Sequence, residues 1–444
     1  MARISFHGGA REVTGACYLL KTEHANILVD CGLFQGCDEC ADMNFRGFLF
    51  DPKIIDALFV THAHVDHIGR IPKLVREGFR GPIFSTAPTK DLAMLLLRDS
   101  LSLAAREKER LFEEKDMDQA FSQMKTLRYH ESIHLGDADI MLRNAGHILG
   151  SSFVEIHAEG KKILFTGDLG NIPSLLLPGP EIVPDAEYMV IESTYGGKEH
   201  EDPRERISQL ERAVEDVAAR GGTLLIPAFA TERTQDILHL LNELLLYKRI
   251  PEIPVFVDSP LAIRVTEVFE RYPEYYKEEI KELFLKHPKL FKFKKLQFTE
   301  SAEDSKKINN IIGPKVIIAG SGMMNGGRVL HHARRYLSDQ KSILLIIGYQ
   351  AAGSLGRRLI DGETMVKIFG EDIPVHAEIR KINGFSAHAD NSQLYDFVYE
   401  SRNSLKQVFV VQGEEARAMH FMQEIRDRLG TRAEAPILGD EMEI

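Results

Sequence analysis

The segment Val60–Gly69, VTHAHVDHIG, constrains this chain more than any other stretch. It sets His62, His64, Asp66 and His67 directly behind the apolar run Ala57–Val60. A run that short, apolar and β-branched at its end reads as a buried strand. Gly69 and Pro72 follow and lead into a segment that reads as a helix opening. The histidines therefore belong in a turn at the C-terminal edge of a strand, where α/β folds gather their ligands.

The same placement recurs. NILVDCG reads as a strand ending in Asp30, KKILFTGDLG as one ending in Asp168, and EYMVIESTYG as one ending in Glu192. His147 lies in NAGHILGSS, and His376 and His388 come late in the chain. One histidine at a strand end is most often a satisfied structural residue. Repeated ligand-type groups at the strand ends of one sheet need a common partner, and metal chemistry supplies one. In H-x-H-x-D-H, His62 and His64 point the same way from the turn, while Asp66 and His67 come round to face a second position. Imidazole with carboxylate favours zinc or a similar borderline ion. A carboxylate such as Asp168 bridges two ions a few ångströms apart, and two such ions clamp the oxygens of a phosphoryl displacement. The rival H-E-x-x-H protease pattern is absent.

The chain is long enough, at 444 residues, for two domains with sizeable cores. Short strands and turns fill residues 1 to about 195, interrupted by a helical stretch from Thr89 to about Met124 that reads as a packed helix pair. From Pro203 the pattern changes to strands alternating with helices, as in TLLIPAFA followed by TQDILHLLNELLLY, which means parallel β-α-β units. Short strands return from about residue 366. No apolar run approaches the roughly 20 residues that span a bilayer, and Met1–Gly8 lacks the pattern of a signal peptide. Four cysteines make no disulfide framework, and Cys37 and Cys40, in CDEC, lack the second pair of a structural zinc site and read as loop cysteines. These features lead to a reduced, cytoplasmic protein. The net charge of −11 argues against nonspecific coating of nucleic acid but leaves room for a local basic cleft.

H-x-H-x-D-H, with a later histidine and GD, resembles the metallo-β-lactamase fold. ESTYG, PAFATERTQ, DSPLA, GSGMMNGGR, PVHAEI and GFSAHAD resemble its nucleic-acid-processing β-CASP branch, in family order and over nearly the whole chain. The nearest likeness is to bacterial and archaeal relatives of the endonuclease subunit of the cleavage and polyadenylation specificity factor. The resemblance implies an α/β fold: a metallo-β-lactamase αββα sandwich in two parts, 1–199 and 366–444, with a β-CASP domain of parallel sheet and flanking helices inserted at 200–365. It implies two zinc ions per chain. His62, His64, His147 and Asp168 would hold the first, and Asp66, His67, His388 and the shared Asp168 the second. Asp30 would orient a ligand histidine. His376 would be the general acid, with Glu192 beside it fixing its orientation.

After a strand and before a helix, Ser321, Gly322 and Met323 are candidates for cradling a phosphate on backbone amides, although tight turns need glycine anyway. Arg233, Arg328, Arg357 and Arg358 are candidate backbone contacts; solvated helix faces carry such residues too. His331 and His332 read as a helix surface. The expectation is a zinc-dependent ribonuclease acting on single-stranded RNA, as an endonuclease with 5′-exonuclease action left open, with 5′-phosphate and 3′-hydroxyl products and a homodimer as the assembly. The alternatives are a DNA-directed β-CASP nuclease, a small-molecule hydrolase of the same fold, which would not need residues 200–365, and an inactive scaffold, which would have lost ligands.

Overall fold

The structure is a computed structural model that describes the chain except residues 37–38, 105–109, 288 and 352, and the side chains of 41, 203 and 204. The chain divides into two compact units, Met1–Glu199 with Ala387–Ile444, and His200–Ser386.

Among the described residues, the first unit contains two seven-stranded sheets. One runs from Glu441–Glu443 through Arg3–Phe6, Tyr18–Lys21, Asn26–Val29, Ala57–Phe59 and Ile83–Ser85 to Met124–Thr126. The other runs from Arg432–Glu434 through Gln407–Val411, Tyr188–Glu192, Lys161–Phe165, Ser152–Ala158 and Ala138–Asn144 to Ser132–Leu135. The sheets face each other across one apolar core, where Phe6, Tyr18, Ile27 and Phe59 meet Ile156, Phe165, Val190 and Phe409. The strand period of two explains why Tyr188–Glu192 is apolar almost throughout. Val190 points into the sandwich. Met189 and Ile191 point outward, under Leu394 and Val398 of the helix Asn391–Glu400 and Phe421 and Ile425 of the helix Glu415–Leu429.

The helical stretch expected from Thr89 forms two helices, Ala87–Ala104 and Glu114–Gln123, before the edge strand Met124–Thr126. Cys37 lies outside the described residues, and Cys40 is buried at the start of a short helix, Cys40–Phe45. No described helix is long and apolar enough to cross a membrane.

The second unit is built on a six-stranded sheet, all parallel, ordered Leu296–Phe298, Val255–Asp258, Lys315–Ala319, Thr223–Pro227, Ile343–Ile346 and Glu378–Lys381. The units change at 386/387, later than the 365/366 expected from the sequence. The reason is packing. Val366, Ile368 and Ile373, on the hairpin Met365–Ile368 and Glu371–Pro374, bury in this unit's core, and Glu378–Lys381 then pairs with Ile343–Ile346 as its edge strand. His376 lies between them and so belongs to this unit.

Candidate metal centre

The ends of strands from both sheets of the first unit, and not of one sheet as expected, carry the candidate ligands. His62 and His64 follow Ala57–Phe59, and His64 stands at the N-cap of the short helix Val65–Ile68. The turn is held by its backbone: the amides of Ala16, Cys31 and Leu33 donate to the carbonyls of Asp66, His67 and Val65 at 2.9, 2.8 and 3.0 Å. Gly32 permits this approach, since a Cβ there would lie 1.4 Å from the Asp66 carbonyl oxygen. His147 follows Ala138–Asn144, and its amide donates to Ser151 Oγ at 2.9 Å. Asp168 follows Lys161–Phe165. A pair of backbone bonds, Asn171 N to Ala387 O and Ala389 N to Leu169 O, both 2.8 Å, ties the His388 segment to the Asp168 loop.

Four ligand atoms converge. His62 Nε2 lies 3.0 Å from His64 Nδ1, and His147 Nε2 lies 3.2 Å from the same atom. Asp168 Oδ2 is 3.4 Å from both His62 Nε2 and His147 Nε2. Zinc bonds of about 2.0–2.1 Å put tetrahedral ligand atoms about 3.3 Å apart, so the set fits one ion of that size. Burial, with cationic neighbours, holds His64 and His147 well below the usual histidine range. They therefore present lone pairs at neutral pH, the form that binds metal.

The second expected set does not gather in the same way. Asp30 Oδ2 accepts from His67 Nδ1 at 2.7 Å, while Thr61 donates its amide to Oδ1 at 2.8 Å and its hydroxyl to Oδ2 at 2.7 Å. Asp30 thus fixes the ring of His67, as expected of an orienting carboxylate. His67 Nε2 then faces Asp168 Oδ1 at 3.3 Å. Between them stands the side-chain amide of Gln412, with Nε2 2.8 Å from His67 Nε2 and 2.7 Å from Asp168 Oδ1. Burial lowers the proton affinity of His67, and the carboxylates of Asp168 and Asp30 outweigh it and raise the pKa. The amide pulls the other way, because an NH2 that donates to Asp168 needs a lone pair on His67. Asp66, whose carboxyl is raised chiefly by burial, is outside the four-atom group.

His388 was expected to ligate the second ion, and Glu192 to sit beside His376. The geometry pairs Glu192 with His388. Glu192 accepts from His388 Nδ1 at 3.1 Å through Oε2 and from the Leu169 amide at 2.6 Å through Oε1. Its carboxylate is filled by these donors, so the histidine it orients is His388. Asp168, Glu192 and His388 form a second group of ligand-type atoms. A histidine nitrogen donating to a carboxylate is, however, the arrangement of an oriented acid. Burial alone would lower the His388 pKa; the carboxylates of Glu192 and Asp168 outweigh it and raise it to about 9. His376 is exposed in the other unit, where its Nδ1–H donates to the Ser338 carbonyl at 3.2 Å.

The inserted unit carries the candidate phosphate contacts. Arg328 donates to Asp258 Oδ1 at 2.6 Å and to the Thr299 carbonyl at 2.7 Å, and Arg233 pairs with Asp236. Arg357 and Arg358 pair with Asp361 and Glu363. These cations have acidic partners within the chain. His332 is buried, not on a helix surface, and bonds Asp258 Oδ2 at 2.6 Å. In the turn after Lys315–Ala319, Ser321 hydrogen-bonds back to Gly326, and Gly322 packs so closely on Phe229 that a Cβ would meet its ring at 2.7 Å. The turn, with Met323 next in line, keeps the glycine for that packing.

Three family models match the chain. A metallo-beta-lactamase superfamily domain matches residues 19–182, a Beta-Casp domain 234–359, and a Zn-dependent metallo-hydrolase RNA specificity domain 372–436. Ribonuclease TTHA0252 of Thermus thermophilus is 39% identical over 94% of this chain and 94% of its own length. The chain belongs to the β-CASP family of metallo-β-lactamase-fold hydrolases. This β-CASP chain is also 33% identical to the transcription termination factor FttA of Methanosarcina mazei, over 96% of the chain and 69% of that protein. It is 31% identical to an RNase J-like protein of Methanocaldococcus jannaschii over 99% of both. A solved structure from Enterococcus faecalis, of unknown function, shares the fold with a TM-score of 0.59 at 12% identity over 99% of both chains.

Proposed function

We propose that this β-CASP hydrolase is a zinc-dependent ribonuclease working in the cytoplasm. It cuts single-stranded RNA internally and leaves 5′-phosphate and 3′-hydroxyl ends. The observation that carries the reading is the convergence of His62, His64, His147 and Asp168 beside the Glu192–His388 pair. The ribonuclease names of two relatives and the matched RNA specificity domain support RNA as the substrate.

A zinc ion held by the four residues would lower the pKa of water and draw charge from the phosphoryl oxygens. The chain's own residues supply the rest. Asp30 and Thr61 keep the His67 ring from turning, and Ser151 holds the His147 loop. As water adds to phosphorus, the bond to the 3′-oxygen breaks and that oxygen needs a proton. His388, with Nδ1 committed to Glu192, carries the deliverable proton on Nε2, and its raised pKa keeps it protonated at neutral pH.

The test uses RNA labelled separately at each end. Internal fragments that a 5′-phosphate-dependent ligase accepts support the reading. Release of mononucleotides from the 5′ end makes the enzyme an exonuclease, and 2′,3′-cyclic ends would rule out water as the attacking group.

A further inference from the structure

We propose that Gln412 sets the affinity of the second metal position: its side-chain amide substitutes for an ion between His67 and Asp168, so the chain holds one zinc tightly and a second only weakly. The inference rests on the metal reading of the site.

The argument starts from two acceptors. His67 gives its Nδ1–H to Asp30 Oδ2 at 2.7 Å, and its Nε2 lies 2.8 Å from Gln412 Nε2, an amide nitrogen that can only donate, so Nε2 meets that nitrogen with a lone pair. That lone pair faces the carboxylate oxygen Oδ1 of Asp168 at 3.3 Å. Two buried acceptors at this distance repel unless a cation or donated hydrogens lie between them. An amide NH2 carries two hydrogens, and Gln412 Nε2 lies 2.8 Å from one acceptor and 2.7 Å from the other. One neutral group therefore satisfies both.

The other end of the amide shows what this costs. Gln412 is 1% exposed, and its Oε1 has no hydrogen-bond partner. A buried, unpaired carbonyl costs about 1–3 kcal/mol. Turning the amide over would set Oε1 against Asp168 Oδ1, oxygen against oxygen, which is worse without an ion present. With an ion present the preference reverses, because a carbonyl oxygen is a ligand and an NH2 is not. The backbone is held for either orientation: the Gln412 amide donates to the Gly9 carbonyl at 2.7 Å, and its carbonyl accepts from Thr194 Oγ1 at 2.9 Å.

The second ion must therefore displace the NH2 from two hydrogen bonds and accept an amide oxygen in place of a stronger nitrogen or carboxylate donor. Amide oxygens suit magnesium, calcium and manganese better than zinc. The first position has no such competitor.

The experiment titrates zinc into the full-length, metal-stripped protein against a chromophoric zinc chelator, with elemental analysis of the dialysed product. Wild type is expected to keep close to one zinc and to take the second at least tenfold more weakly. Gln412→His and Gln412→Glu are each expected to tighten the second zinc at least tenfold and leave the first unchanged. Gln412→Glu is nearly isosteric, so it serves if the histidine does not pack. Two equally tight zinc ions in wild type, or a second ion that neither variant tightens while the first stays bound, would overturn the role of Gln412 alone. No zinc in wild type or in any variant would overturn the metal reading as well.

Discussion

Glu192 holds His388 by Nδ1 at 3.1 Å, across 196 positions of sequence, and directs that ring beside Asp168. If the pair is the proton source for the leaving oxygen, His388→Ala should keep its tightly bound zinc yet cleave RNA about 10²- to 10⁴-fold more slowly. An RNA with sulfur at the leaving 3′ position needs less protonation and should recover much of the loss. His376→Ala should cleave within a few-fold of wild type. A large loss in that variant, rescued by sulfur, would return the acid role to His376.

The Asp168 carboxylate touches both the four-residue cluster and the His67 side of the site. Asp168→Ala should therefore lose zinc and cleavage together. Elemental analysis and a cleavage assay on the same preparation check this, and a variant with full zinc and full activity contradicts the cluster as the metal site.

In the inserted unit, Asp258 is fully buried and accepts from His332, Ser305, Thr299 and Arg328. Burial pushes its pKa up, and these hydrogen bonds outweigh it and bring it to about 2. Asp258→Ala leaves Arg328 and His332 without their acceptor and should destabilise this unit by about 3–5 kcal/mol, read from denaturant unfolding. Arg328→Ala should likewise be a stability variant, with its loss visible in unfolding before any change in RNA affinity.

Burial, with Lys277 nearby, lowers the pKa of His239 to about 4. The unfolded chain takes up this proton near pH 6.5, and the folded chain does not until about 4. Stability should fall as pH drops through that window, by up to about 3 kcal/mol from this residue, and should be insensitive to it above pH 7. Unfolding midpoints of wild type and His239→Gln at pH 7 and pH 5 measure it; the variant should lose less than wild type.

The strand-edge rule made His62, His64, His147 and Asp168 legible, because each is a ligand type that follows shortly after the C-terminal end of a strand. The parallel sheet of the insertion was legible from its alternation of strands and helices. What stayed hidden was pairing. Nothing local in GFSAHAD says that His388 meets Glu192. Nothing local says that Asp258 and Asp236 neutralise Arg328 and Arg233, which then looked free. Gln412 follows the strand Gln407–Val411 directly and satisfies the same edge rule. It was passed over because glutamine does not titrate and is an uncommon ligand. The domain boundary at 386/387 depended on a hairpin packing into a core that only the folded unit defines.

The most direct test of metal-dependent RNA hydrolysis at this centre compares single-stranded RNA and DNA of one sequence, at matched salt, with wild type and Asp168→Ala. Salt must be matched because phosphate contacts make binding steeply salt-dependent. The prediction is cleavage of RNA much faster than DNA by wild type, abolished by a chelator, restored by zinc and absent in Asp168→Ala. Equal turnover of the two nucleic acids, a preference for DNA, or undiminished cleavage by Asp168→Ala would contradict it.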